Sequence, residues 1–215
     1  MISLDVRIER LPIAGTFTIS RGSKTEAVVV VAEIRDGPHC GRGECVPYAR
    51  YGETPEQVVA LLLGLEREIA AGLDRHALQQ RLPAGAARNA LDCAFWDLEA
   101  KRSGVPAFRQ AGLDTLRPLV TAYTLSLDTP DAMAAAARAA GRPLLKLKLG
   151  GTGDAERLRA IRLAAPDARL IIDANEGWTD DTLAENLAVC AEVGVELIEQ
   201  PLPAGADERL RHIPH

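Results

Sequence analysis

No apolar run in this sequence is long enough to cross a bilayer. The longest, residues 27–32 and 58–63, have six residues each, against roughly 20 for a spanning helix. The N-terminus lacks a basic region followed by an apolar stretch, so no signal peptide is expected. An excess of positive charge is missing too. The 25 Lys and Arg against 30 Asp and Glu leave a net charge of −5, which gives no electrostatic reason to expect nucleic acid or an anionic membrane as a partner. Low-complexity segments are absent, and a soluble cytoplasmic protein is the default expectation.

Cysteine is scarce, with four in the chain. Cys40 and Cys45 flank Gly41-Arg42-Gly43-Glu44 beside His39, but a zinc site needs more ligands at zinc spacings than this cluster offers, and a structural role is the better reading. Cys93 and Cys190 fall in helical apolar patterns, where a free cysteine packs like a small hydrophobe. The four histidines show no ligand pairing, and His212 and His215 are assigned no role.

What is present is a chain of 215 residues, 47% hydrophobic, enough for a full core in one or two domains. The pattern divides it near residue 120. Residues 2–11 alternate, 17–21 read as a short loop, 25–34 as a Val-rich strand, and 41–46 as the strand after the Asp36-Gly37-Pro38 turn. Thr54-Pro55-Glu56 starts a helix with a capping Thr, a Pro in the first turn and an acid behind it. Its expected apolar face is Val58, Leu61, Leu62, Leu65 and Ile69. A second helix is predicted over 86–103, with Leu91, Ala94, Phe95 and Leu98 as its stripe. Strands followed by helices imply an α+β domain over 1–119.

From residue 120 strands and helices alternate. Strands are expected at 120–127, 144–149, 168–173 and 196–200, and helices at 130–140, 154–165 (Leu158, Ile161 and Leu163 inward) and 181–193. Four strands with three helices between them imply right-handed βαβ units and a parallel sheet over 120–215.

Three short motifs end the apolar strands of this second part: Lys146-Leu147-Lys148, Asp173-Ala174-Asn175 and Glu199-Gln200-Pro201. Lys148, Asp173 and Glu199 are spaced by 25 and 26 residues, about one strand plus one helix. The spacing places a base and two carboxylates at one end of successive parallel strands, where β/α barrels build active sites. Lys146 and Lys148 are two apart and share a face. As neighbouring ammonium groups they should lower each other's pKa and poise a lysine as a base. Carboxylate oxygens at converging strand ends suit a hard cation such as Mg²⁺, and a base beside a divalent ion is a means of forming and stabilising an enediolate. The bland readings are exposed strand lysines and strand-end carboxylates that cap the next helix.

Two stretches carry a more specific signal. They are Gly43-Glu44-Cys45-Val46-Pro47-Tyr48 with Arg50-Tyr51-Gly52-Glu53, and residues 82–94 continued through Trp96-Asp97-Leu98. With the three motifs, they make the chain resemble the enolase superfamily, muconate-lactonising subgroup, and within it the dipeptide epimerases. The resemblance runs along the whole sequence. It implies an N-terminal α+β capping domain followed by the first half of an enolase-type (β/α) barrel. It also implies Mg²⁺-dependent epimerisation of L-Ala-D/L-Glu and related dipeptides, with peptidoglycan-peptide recycling as the setting. In that pattern Lys148 removes the proton α to the carboxylate, and Lys146 assists it and touches the substrate carboxylate. Asp173 and Glu199 are the first two metal ligands. Thr124, at the end of the first barrel strand, contacts the dipeptide. Arg21 pairs with the substrate's side-chain carboxylate, a bidentate task that suits Arg. The acids of the 82–98 helix, Asp92 and Asp97, would link the two domains. The third metal carboxylate and the opposite-face lysine of the family pattern are not found in residues 1–215. N-acylamino acid racemase, o-succinylbenzoate synthase and cycloisomerase would share Lys148, Asp173 and Glu199, and a non-catalytic half-barrel is the reading outside the enzyme class. A small-molecule dipeptide is the expected partner, and a homo-oligomer is compatible with the sequence.

Overall fold

The computed structural model describes residues 2–213; Met1, Pro214 and His215 lie outside the described residues. The chain forms two compact units. One takes the residues up to Pro12 and Glu26–Arg117, and the other takes Ile13–Thr25 and the residues from Pro118 on.

Strands β1 (Ile2–Ile19), β2 (Gly22–Asp36) and β3 (His39–Cys45) form one sheet in that order. The loop expected at 17–21 shrinks to the turn Ser20-Arg21, because Thr16, Phe17, Thr18 and Ile19 are all strand formers and keep β1 extended to the tip. Alternate residues of β2, namely Val30, Ala32 and Ile34, enter the first core with Leu62, Ile69, Leu78 and Leu91. β3 runs antiparallel to β2, with Gly43 opposite Ala32 and Gly41 opposite Ile34.

Helix α4 (Ala86–Ser103) lies directly on β3. The glycines of β3 permit this closeness. A β-carbon on Gly43 would stand 1.9 Å from the Ala90 carbonyl oxygen, and one on Gly41 would stand 2.1 Å from that of Ala94. Small residues on the helix face thus meet bare backbone on the strand. The acids Asp92 and Asp97 of α4 have bonding partners within this unit. Asp97 Oδ2 accepts from the Arg42 amide (2.8 Å) and from Lys101 (2.6 Å), and Asp92 Oδ1 accepts from Gln79 (2.9 Å). Glu53 Oε1 accepts from the Ala86 amide (2.6 Å), so a side chain from outside caps α4, whose own N-cap is a glycine.

The helix begun by Thr54 is shorter than its apolar pattern. α1 (Pro55–Leu63) stops at Gly64, and Ile69 lies on a separate turn, α2 (Glu66–Ala70). Leu61 is 53% exposed, because the face that α1 buries is centred on Val58 and Leu62, one turn apart. α3 (Arg75–Arg81) was not anticipated. Its polar sequence buries Leu78 alone, and its signal was the cap, Asp74, which accepts from the Ala77 amide (2.8 Å). Cys93 lies on the exposed side of α4, against expectation, whereas Cys45 and Cys190 are buried. A short helix, α5 (Ala107–Gln110), follows α4.

The second unit is a parallel sheet in the order β4 (Tyr123–Leu125), β5 (Leu144–Lys148), β6 (Arg169–Asp173) and β7 (Val195–Glu199). Helices α6 (Pro130–Ala140), α7 (Asp154–Ala164) and α8 (Asp180–Glu192) connect the strands. β4 is shorter than the expected 120–127, and Val120 is exposed. Leu163, expected inward, is 84% exposed; α7 turns Leu158 and Ile161 into the core instead. At the amino ends of the strands, Arg162 binds five carbonyl oxygens, those of Val193, Ala165, Pro166, Ala168 and Gly194. One guanidinium thereby satisfies chain ends that no secondary structure serves. Among the described residues no helix is long and apolar enough to cross a membrane.

Gly43→Ala should destabilise the first unit by about 3 kcal/mol or prevent its folding, because the added methyl meets rigid backbone. Urea unfolding followed by circular dichroism measures this. A loss under about 0.5 kcal/mol would show that α4 can move away from β3.

Candidate active site

β5, β6 and β7 end level with one another. Lys148 is in register with Asp173, and Asp173 with Glu199; on the other side Thr124 is in register with Lys146. Strand periodicity sends Leu145 and Leu147 into the core and turns Lys146 and Lys148 to the opposite face. All of these residues belong to the second unit.

The four charged groups pair across the strands. Lys148 Nζ donates to Asp173 Oδ2 at 2.6 Å. Lys146 Nζ donates to Glu199 Oε2 and stands 3.6 Å from Asp173 Oδ2. Asp173 is 2% exposed, and its second oxygen accepts from the Asn175 amide at 2.9 Å. Burial alone would push the Asp173 carboxyl up. The bond from Lys148, the Asn175 amide and the two ammonium charges outweigh it and hold the group below the usual carboxylate range. Burial likewise disfavours the charged form of Lys146, but the bond to Glu199 and the charges of Glu199 and Asp173 prevail and raise its pKa. The expectation that the lysine pair lowers its own pKa is therefore corrected for Lys146: the nearest charges are carboxylates, not the other ammonium.

Just past these carboxylates the backbone turns left-handed. Asn175 (φ 49°), Glu176 (φ 64°) and Gln200 (φ 48°) are the non-glycine residues with positive φ among the described residues. Such strain persists where surroundings over-determine it. Here the Ala174 amide donates to the Glu199 carbonyl (3.0 Å), and the Glu176 amide to that of Gln200 (2.8 Å). The Asn175 carbonyl accepts from Ser20 Oγ (2.8 Å) and from Arg21 Nη1 (2.6 Å). Arg21 thus reaches the turn that follows Asp173. The aromatic ring of Phe17, on the same hairpin, lies 5.8 Å from Lys148 Nζ. Thr124 sits in the middle of β4 rather than at its end. Sequence reasoning assigned no role to Ser20 or Gln200; for Gln200 the signal available was its place directly after Glu199, and Ser20 had none.

The donor set fits a hard cation in part. Asp173 and Glu199 offer carboxylate oxygens from adjacent strands, and a cationic group, the Lys146 ammonium, already lies between them. Among the described residues no group of three or more His, Cys, Asp or Glu is arranged to hold a metal. Asn175 Oδ1 is buried beside Asp173 without a hydrogen-bond partner.

Two family models match the chain: "Mandelate racemase / muconate lactonizing enzyme, N-terminal domain" over residues 1–110, and "Enolase C-terminal domain-like" over residues 129–214. The chain belongs to the enolase superfamily, and its antiparallel sheet and parallel β/α strands correspond to the capping domain and part of the barrel of that fold. It is 44% identical to the L-Ala-D/L-Glu epimerase of Escherichia coli K12, with all of this chain and 68% of the relative aligned. A solved enolase family member from Agrobacterium tumefaciens, described as having homology to dipeptide epimerases and bound to sodium and L-Ala-L-Glu, shares 56% identity at a TM-score of 0.97; the match covers 100% of this chain and 66% of that one. The dipeptide epimerase of Methylococcus capsulatus, solved with Mg and L-Arg-D-Lys, shares 34% identity at a TM-score of 0.86, over 99% of this chain and 65% of that one. The chain thus spans about two thirds of the length of these relatives.

Asn175→Val should cost about 2 kcal/mol, because a β-branched residue is forced to φ 49°, whereas Asn175→Gly should stay within about 1 kcal/mol of the parent. Urea midpoints compare the two. Equal stability of both variants would mean that the turn after Asp173 rearranges freely.

Proposed function

We propose that this chain carries the base and two metal ligands of a dipeptide epimerase acting on substrates of the L-Ala-D/L-Glu type. The observation that supports it most is the row Lys146, Lys148, Asp173 and Glu199 at the carboxyl ends of adjacent parallel strands, in a chain whose relatives include dipeptide epimerases.

In this reading Lys148, as the free amine, accepts the proton α to the substrate carboxylate. It must first give up its bond to Asp173. The Lys146 ammonium faces the same carboxylate and stabilises the negative charge that grows there as the proton leaves. Asp173 and Glu199 would hold Mg²⁺, which supplies positive charge to the carboxylate as it becomes an enediolate. Arg21 commits one N–H to the Asn175 carbonyl, and its guanidinium can pair with a side-chain carboxylate of the dipeptide. Thr124, in register with Lys146, contacts the dipeptide from the neighbouring strand. Epimerisation in the family pattern also needs a third metal carboxylate and an acid on the other face of the carbanion; among the described residues no third acidic side chain joins Asp173 and Glu199 in a metal-holding group. The setting of this reading is the recycling of peptidoglycan peptides in the cytoplasm.

Calorimetric titration with Mg²⁺ should show binding that Asp173→Asn and Glu199→Gln each weaken about tenfold or more. Binding unchanged in both variants would remove these residues from the metal role.

In D₂O with Mg²⁺, the α-proton of the glutamyl residue of L-Ala-L-Glu should exchange for deuterium, as read by NMR. EDTA should stop the exchange, and Lys148→Ala should slow it about 10²–10⁴-fold while the fold survives. Undiminished exchange in Lys148→Ala would overturn the assignment of the base. Exchange with N-acyl amino acids alone would move the substrate to the N-acylamino acid racemase class. No exchange with either would favour the non-catalytic reading.

A further inference from the structure

The loops that follow β5 and β6 converge on one buried carboxylate that the proposed chemistry does not use. Asp154, the first residue of α7, is 1% exposed. Its Oδ1 accepts from the Gly150 amide (3.1 Å) and Arg157 Nη1 (3.1 Å), and its Oδ2 from the Gly151 amide (2.7 Å) and Trp178 Nε1 (2.8 Å). Four donors satisfy the charge, so its burial is tolerated.

The partners matter more than the number. Gly150 and Gly151 directly follow the Lys148-Leu149 end of β5, while Trp178 closes the turn that begins at Asp173. Trp178 is fully buried, and its amide donates to the Pro201 carbonyl at 3.1 Å, just past Glu199. Arg157, held by Asp154, donates to the Asp128 carbonyl (2.7 Å) after β4 and to that of Thr152 (2.7 Å). The two inner loops also touch directly: a β-carbon on Gly151 would lie 2.8 Å from the Gly177 carbonyl oxygen. A residue that only capped its own helix would accept from the first amides of α7; Asp154 accepts instead from Gly150, Gly151 and Trp178, none of them in that helix.

We propose that Asp154 is a positioning residue for this site: by accepting from Gly150, Gly151 and Trp178 together, it fixes the loop after Lys148 against the loop after Asp173, and so steadies the strand ends that bear the base and the carboxylate. This rests on the function proposed above for Lys148 and Asp173, whereas the coupling of the two loops does not. Small displacements of a base from its target are costly, with about 10²-fold in rate for about 1 Å.

The experiment compares the parent with Asp154→Asn, which keeps the shape but turns an amide donor toward donors. Trp178→Phe is the milder second variant and removes the indole N–H alone. Arg162→Met is the control, a destabilising change at the opposite end of the same strands. Amide hydrogen exchange read by mass spectrometry should rise about tenfold in both 149–153 and 174–178 for Asp154→Asn, and in 174–178 for Trp178→Phe, with Arg162→Met leaving both segments as in the parent. With the dipeptide in D₂O, kcat for α-proton exchange should fall about 10²-fold in Asp154→Asn and about tenfold in Trp178→Phe, with KM within about threefold; in Arg162→Met it should hold. Faster hydrogen exchange confined to 149–153 in Asp154→Asn would reduce Asp154 to a brace of its own preceding loop and overturn the proposal, as would an unchanged kcat with both loops loosened. If the parent itself exchanges no α-proton, the function reading fails, and the pattern of amide exchange alone decides the coupling.

Discussion

The register of three parallel strands is the constraint on which the site depends. Lys148 stands opposite Asp173, and Asp173 opposite Glu199, because each strand ends after the same apolar rise and each crossover helix returns the chain in parallel. A slip of one residue in any strand would turn its functional side chains into the leucine core. The buried Leu145, Leu147, Leu170 and Ile172 oppose such a slip, because the same alternation would then expose them. The apolar face thus sets where the polar face delivers its charges.

Those charges are balanced within the row. Two ammonium groups and two carboxylates alternate closely enough to raise the pKa of Lys146 and lower that of Asp173. In this arrangement the carboxylates hold Lys146 in its charged form, the form that attracts a substrate carboxylate. For Lys148 to act as a base, its bond with Asp173 must be exchanged for something else. The pairing therefore describes a resting geometry, in which cations already sit at both carboxylates, and any ligand that enters must compete with a lysine.

The strand-end motifs were legible because they interrupt apolar runs at a fixed interval, helix 86–103 because of its stripe of Leu91, Ala94, Phe95 and Leu98, and helix 130–140 because of its run of alanines. Other features left weaker traces. Leu61 and Leu163 fit an apolar stripe on paper, yet α1 buries Val58 and Leu62 and α7 buries Leu158 and Ile161, leaving both leucines in solvent. The left-handed turn at Asn175, Glu176 and Gln200 carries no glycine at those positions to announce it. The pKa direction of Lys146 was misjudged because spacing along one strand shows the neighbouring lysine, whereas only cross-strand register shows the carboxylates. Asp154 is only the first residue of the helix expected at 154–165; its distinction lies in Trp178, 24 residues away, which no local pattern connects to it.

The two ends of the sheet divide the work between two charged residues on one helix. Arg162, near the last turn of α7, gathers carbonyl oxygens at the amino ends of the strands, and Asp154, at its first turn, gathers amide and indole N–H groups at the carboxyl ends. Each sign suits its place, since a helix start favours an anion and a helix end a cation. In β/α barrels the amino end serves stability and the carboxyl end function. α7 therefore acts as a strut whose one end can tolerate loosening, at a loss of stability, and whose other end cannot move without moving Lys148 relative to Asp173. The strands fix the height and spacing of the charged row, and the loop-to-loop bonds hold the strand ends that carry it in place.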